Sequence, residues 1–257
     1  MKHRYWILLA VCGTFAVGSV AQAGLLVSEK EVHRQARLAW LMMKRQVPID
    51  PDQRVQRYVK CVADDIINVV KVDPKHPFDW EVVVFDDDAI NASADPDGKI
   101  AVFTGLLKVA DTPDALAAVL GHEISHATHG HVMARAKRGA RQDMLVLLGS
   151  AATGINPDLL NQGATIGLAL PYARDQESEA DLAGLQYMAE AGFDPRAAIT
   201  LWKNMAAANR NGQPPEFLSD HPADETRIND IVEHLTPALI TYNKAREAGK
   251  RPNCQLR

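Results

Sequence analysis

The feature that most constrains this chain is a pair of histidines, His122 and His126, at the end of an unbroken apolar lead-in, Ala115-Leu116-Ala117-Ala118-Val119-Leu120-Gly121. Thr112-Pro113-Asp114 just upstream is a helix start, with a capping residue, a proline at the first helical position and an acid in the first turn. A helix that is apolar all round enters the core, so the two histidines are delivered into the interior. Residues four apart on a helix are about 5–6 Å apart at Cβ. Both imidazoles therefore face one side of a single metal ion. Glu123 between them points about 100° away, where it meets a water on that ion. The pattern His122-Glu123-x-x-His126 is the HExxH arrangement of metal-dependent hydrolysis, yet it arises by chance in roughly one chain in a hundred of this length. It counts only if a third ligand can be found.

Three candidates exist for that ligand. A third histidine at the HExxHxxGxxH spacing fails, because His129 occupies the glycine position and Val132 the histidine position. His129 lies on the same helical face, a turn further on. Three side chains in a row on one straight helix cannot surround an ion tetrahedrally, so His129 and His131 read as packing or supporting residues. The remaining source is Asp175-Gln176-Glu177-Ser178-Glu179-Ala180-Asp181. Helical phase places Glu177 with Ala180, Asp181, Gly184 and Met188 on a small, apolar face. It places Glu179 with Asp175, Ala183, Gln186 and Glu190 on a polar face directed at water. A buried carboxylate needs a metal or a partner. Glu177 thus becomes the third ligand, and Asp181 accepts the free N–H of a liganding histidine.

Around this centre the chain reads as α+β and mostly helical, a zincin-like domain with a small antiparallel sheet beside the HExxH helix. Helices are expected over 28–46, capped by Ser28, and over 52–71, with Val55, Val59, Val62, Ile66 and Val69 on one stripe. A strand is expected over 79–85, and a hairpin joins 89–94 to 99–104 through Asp95-Pro96-Asp97-Gly98. The HExxH helix continues to Arg135-Ala136-Lys137-Arg138, basic and exposed at its C-terminal end. The segments 144–155 and 164–170 are short apolar helices, each too short to span a bilayer. Helices follow over 172–191, 195–208 and 224–244, with Pro237 in the last. The chain is expected to stop soon after with no appended domain.

Lys2, His3 and Arg4, the apolar run 6–20 and Ala21-Gln22-Ala23 form a signal peptide cleaved after Ala23. One metallopeptidase domain then occupies 24–257. An uncleaved anchor is one rival reading, and a lipid-bearing Cys12 is another. Cleavage takes the net charge from −4 to −6, and no block of basic residues supports nucleic-acid binding. Cys61 and Cys254 are the cysteines left after cleavage. In an oxidising compartment they form a disulfide, the rival being two buried free thiols.

The combination of His122-Glu123-x-x-His126 with Glu177-x-x-x-Asp181 resembles the gluzincins, and in particular the HtpX/CAAX-endopeptidase family of zinc metallopeptidases. Supporting stretches are Ala89-Ile90-Asn91-Ala92, Gly98-Lys99-Ile100, Thr104-Gly105-Leu106-Leu107, the apolar lead-in, Phe217-Leu218-Ser219-Asp220-His221-Pro222 and Arg227-Ile228. The similarity is to the soluble periplasmic BepA/LoiP-like branch. The hairpin tip departs from it, since an aromatic near Ser93 and a glycine at Asp97 are more usual there. The resemblance implies one Zn2+ per chain on His122, His126 and Glu177, with Glu123 as general base. It implies a histidine near the metal at His221, as oxyanion stabiliser or fourth ligand, and Arg227 as an orienting residue. It further implies periplasmic quality control of unfolded or misassembled envelope proteins, with outer-membrane assembly machinery as a partner and membrane association as a variant. The alternative function is a zinc-bound chaperone or assembly factor whose protease site is closed and mostly latent.

Overall fold

A computed structural model describes residues 28–74, 77–154, 170–210, 215–221 and 225–256. The signal-peptide reading, Cys12 and the apolar segment 164–169 lie outside these residues.

Helix α1 spans Glu29–Gln46, and the Ser28 side chain accepts from the Glu31 N–H as expected of an N-cap. Helix α2, Gln53–Ile67, is capped by Asp52 and buries Val59, Val62 and Ile66 completely. It ends four residues before the expected Lys71. Strands β1 (Glu81–Phe85), β2 (Ala92–Ala94) and β3 (Lys99–Phe103) follow. The β2–β3 hairpin is antiparallel and turns at Gly98, whose φ of 90° is open to glycine at little cost. The third pairing differs from expectation. β1 runs parallel to β3, in the order β1-β3-β2, so the sheet is mixed. Segment 86–91 carries the chain across from β1 to the far side of β3, which leaves β2 as an edge.

The HExxH helix, α3, spans Pro113–Thr128 with Thr112 accepting from the Ala115 N–H. It buries nearly every residue from Ala115 to Ala127. It does not run on to Arg138. Gly130 takes a left-handed φ of 71°, and a new helix, α4, begins at His131 and extends to Thr153. Arg135 therefore sits near the start of a helix, and it turns inward. Helices α5 (Leu170–Ala191), α6 (Ala197–Arg210), α7 (Phe217–Asp220) and α8 (Glu225–Glu247) complete the described chain. Pro237 lies within α8.

The most extensive helix packing is between α3 and α5. Its closest point is glycine on glycine. A Cβ on Gly184 would lie 2.7 Å from the His122 nitrogen, and one on Gly121 would lie 2.8 Å from the Gly184 carbonyl oxygen. No larger residue fits there. This contact brings the Glu177/Asp181 face of α5 directly against His122 and His126. On the opposite side, a Cys61–Cys254 disulfide with Cα atoms 5.6 Å apart ties the C-terminal tail to α2. It closes a loop of 193 residues, and long loops are where a cross-link removes most entropy from the unfolded chain.

Candidate active site

Two turns of α3, one face of α5 and the residue after α7 meet in a single buried cluster. His122, His126, Glu177 and His221 each offer a donor atom within 4.8 Å of all the others. All four are at most 5% exposed. His122 Nε2 lies 3.0 Å from His126 Nε2 and 3.1 Å from His221 Nδ1. The Glu177 carboxylate is 3.3 Å from His122 Nε2, 3.4 Å from His126 Nε2 and 2.9 Å from His221 Nδ1.

These contacts test whether the residues suit a metal. Three imidazole nitrogens converge on one point, and neighbouring nitrogens can share at most one proton per contact. A small cation satisfies all of them at once. Tetrahedral zinc with bonds near 2.0–2.1 Å sets its donor nitrogens about 3.3 Å apart, close to the spacing here. Glu123 Oε1 is also buried; among the described residues it makes no hydrogen bond, and its near neighbour is His221 Nε2 at 3.3 Å. Buried acceptors without a hydrogen bond are rare, which leaves this oxygen able to accept from a water or substrate atom. The donor set fits a borderline cation of zinc type.

The surroundings fix the ligands. His122 Nδ1 is 2.9 Å from Asp181 Oδ1. Arg227, 2% exposed, clasps Asp181 with two hydrogen bonds of 2.7 and 2.9 Å. Its third nitrogen donates to the His221 carbonyl at 3.2 Å and lies 3.2 Å from Glu177 Oε2. Its guanidinium sits over the Trp202 ring at 4.8 Å. Arg227 thus binds three elements of the centre together.

Burial favours the neutral forms of these groups, and pairing opposes it. For His122, desolvation lowers the pKa, but hydrogen bonds to Asp181 and then Glu177 outweigh it and carry the metal-free ring up to about 9. His126 has no comparable compensation, and burial takes it down to about 2. Desolvation also opposes ionisation of Glu177 and Asp181. The histidines around Glu177, and His122 with Arg227 around Asp181, nevertheless hold both carboxyls well below the ordinary range. Metal-free, the pairing thus favours the charged forms of His122, Glu177 and Asp181.

Glu123 is anchored through its other oxygen. Ala94 N–H donates to Glu123 Oε2 at 3.1 Å. Asn91 and Asp95 make the ladder bonds to β3, so by alternation Ala92 and Ala94 direct their N–H and C=O groups away from it. The free edge of β2 therefore faces the Glu123 carboxylate.

The chain matches the model of peptidase family M48 over residues 53–235. It belongs to that family. The mitochondrial metalloendopeptidase OMA1 of Schizosaccharomyces pombe is 36% identical over 173 residues, 67% of this chain and 51% of that protein. The bovine metalloendopeptidase OMA1 is 36% identical over 186 residues, 67% of this chain and 35% of that one. The beta-barrel assembly-enhancing protease of Escherichia coli is 28% identical over 213 residues, 77% of this chain and 43% of that protein. The chain spans about half or less of the length of these relatives. M48 peptidases use a metal, and the His-His-Glu-His cluster is where this member can hold one ion.

His122, Glu123, His126, Glu177, Asp181, His221 and Arg227 stand in or beside the cluster, and Cys61 and Cys254 are bonded to each other. Glu179, on the polar face, has a side chain 56% exposed. Two contributors, Arg135 and Trp202, were not foreseen, whereas His131 was read as a packing or supporting residue. Arg135 donates to Glu177 Oε1 and lies 3.2 and 3.4 Å from the two ring nitrogens of His126. His131 contacts His126 and Glu179, and Trp202 lies under Arg227. The signal for Arg135 and His131 was Gly130, a helix breaker just past the motif.

Proposed function

We propose that this chain is a zinc-dependent endopeptidase. The observation that carries the reading is the convergence of His122, His126 and Glu177 beside the buried Glu123 carboxylate, whose Oε1 makes no hydrogen bond among the described residues and lies 3.3 Å from His221 Nε2. When bound, zinc would acidify a coordinated water and polarise the scissile carbonyl. Glu123 takes the water's proton and passes it to the leaving amine. Asp181 holds His122 with its proton on Nδ1, leaving Nε2 to ligate, and Arg227 holds Asp181. His221, with Nδ1 3.1 Å from His122 Nε2, is placed either to serve as a fourth donor or to donate to the developing oxyanion.

The substrates we infer are unfolded or misassembled envelope proteins. Support comes from the BepA/LoiP-like motifs and from the Escherichia coli relative, named a beta-barrel assembly-enhancing protease. Export by the N-terminal 23 residues to the periplasm, close to outer-membrane assembly machinery, accords with this reading. Among the described residues no helix is long and apolar enough to cross a membrane. The family relationship to metalloendopeptidases does not favour a latent chaperone.

An extended substrate would pair with the free edge of β2. Ala92 N–H points outward and bonds only its neighbour's Asn91 Oδ1, at 2.8 Å. Ala92→Pro removes that donor without breaking the β3 ladder. Casein digestion by the zinc-loaded variant should show kcat/KM lowered about fivefold or more, the worth of one hydrogen bond of about 1 kcal/mol. Unchanged kcat/KM contradicts strand addition, and a zinc-loaded wild type that leaves casein intact contradicts the peptidase reading itself.

A further inference from the structure

The two histidines of the motif are held differently. His122 directs Nδ1 to a carboxylate, Asp181, itself locked by Arg227. His126 has no carboxylate at its Nδ1. The atom there is Nδ1 of His131, at 3.0 Å. His131 is 4% exposed, and its Nε2 lies 3.1 Å from Glu179 Oε2 at the rim of an open pocket lined by His129, His131, Asp175 and Glu179.

Among the described residues, Arg135 is the one competitor for His126 Nδ1. Its nitrogen is almost equally far from both ring nitrogens, at 3.2 and 3.4 Å. A nitrogen in the ring plane at those distances would collide with the carbon between them. Arg135 therefore lies over the ring face and spends its hydrogen bond on Glu177. The in-plane position at Nδ1 belongs to His131.

Donor logic then fixes every proton. If His126 gives Nε2 to the metal, its hydrogen is on Nδ1. Nδ1–H must donate to His131 Nδ1, which therefore carries no hydrogen. The His131 hydrogen is on Nε2 and donates to Glu179.

We propose that His131 is a positioning residue of the metal centre. It accepts from His126 Nδ1–H, fixes the tautomer and ring angle that aim Nε2 at the ion, and is itself oriented by Glu179. The proposal rests on reading His122, His126 and Glu177 as ligands. It goes further in giving His126 a supporting relay, histidine then glutamate, that ends at the surface, where His122 has the buried Asp181–Arg227 pair. Liganding histidines are generally steadied through their second nitrogen, at a cost of 10–100-fold in metal affinity when that partner is lost.

The test is titration of the metal-free full chain with Zn2+ against a competing chromophoric chelator. His131→Phe fills the space of the ring but cannot accept, and should lose about 10–100-fold in zinc affinity. His131→Asn places an amide oxygen where Nδ1 stood and should recover most of it. Glu179→Ala should lose only about two- to fivefold, as the Glu179 side chain is itself largely solvated, at 56% exposure. In the zinc-loaded chain, imidazole 1H–15N correlation should show a hydrogen-bonded, slowly exchanging His126 Nδ1–H in wild type and His131→Asn, and not in His131→Phe. Equal affinity in wild type and His131→Phe overturns the proposal, as does His131→Asn falling as far as His131→Phe. A wild type that takes up no zinc overturns the ligand assignment, and the proposal with it.

Discussion

Replacing Glu123 by glutamine is expected to lower casein hydrolysis by about 10²- to 10⁴-fold, the range of a positioned general base. The substitution is nearly isosteric at a site 2% exposed. The amide oxygen can keep the hydrogen bond from Ala94 N–H that the carboxylate accepts at 3.1 Å. What the amide cannot do is take a proton from water. Glu123 is not among the four converging donors, so zinc uptake should match wild type and the loss should fall on kcat. A variant that still digests casein within a few-fold of wild type would remove Glu123 from the chemistry.

The second large effect is on stability, and it centres on Arg227. Arg227→Met leaves the Asp181 carboxylate in the interior without its guanidinium, while Glu177 keeps that of Arg135. Breaking a buried pair by removing one partner costs about 3–5 kcal/mol. Urea unfolding of the metal-free chain should show a loss of that order, far above the 0–1 kcal/mol of a surface pair. Removing Asp181 as well should return part of it, since the uncompensated charge goes too. The pH dependence follows in sign. Asp181 titrates below its ordinary 3.8 in the folded chain, so the unfolded chain binds more protons on acidification. The stability it contributes is complete above 3.8 and is lost as pH falls through the depressed value. Arg227→Met should flatten that acid dependence. A loss under about 1 kcal/mol would mean Arg227 only fills space.

Much of this centre was legible in the sequence because its rules are local. Helical phase alone separated Glu177 and Asp181 from Asp175 and Glu179, and the side chains divide as phase requires, Glu177 at 1% exposure and Glu179 facing solvent. The small residues on that face also signalled close approach, realised where Gly184 meets the backbone at Gly121. The role of Arg135 went unread, as did the route by which His131, read as a supporting residue, reaches His126, because both depend on a break in phase. Continuing α3 through Gly130 put Arg135 at an exposed C-terminus. The left-handed turn at Gly130 restarts the helix and swings Arg135 and His131 back onto His126. Strand direction was hidden for a similar reason. A hairpin is written in its turn, Asp95-Pro96-Asp97-Gly98, but the parallel pairing of β1 is decided by the path of 86–91, which has no local signature. The disulfide lay in between, since composition supplied a pair and only the fold could bring Cα atoms to 5.6 Å.

The central claim is that His122, His126 and Glu177 hold one zinc ion, and metal counting tests it most directly. Purified full chain, stripped by chelator and reloaded with Zn2+, should retain one zinc per chain after desalting. Glu177→Ala should retain far less, because the cluster loses its one anionic donor and only the histidines remain. Stoichiometric zinc in wild type with loss in Glu177→Ala is the result this account predicts. No zinc in wild type, or full retention without Glu177, would contradict it.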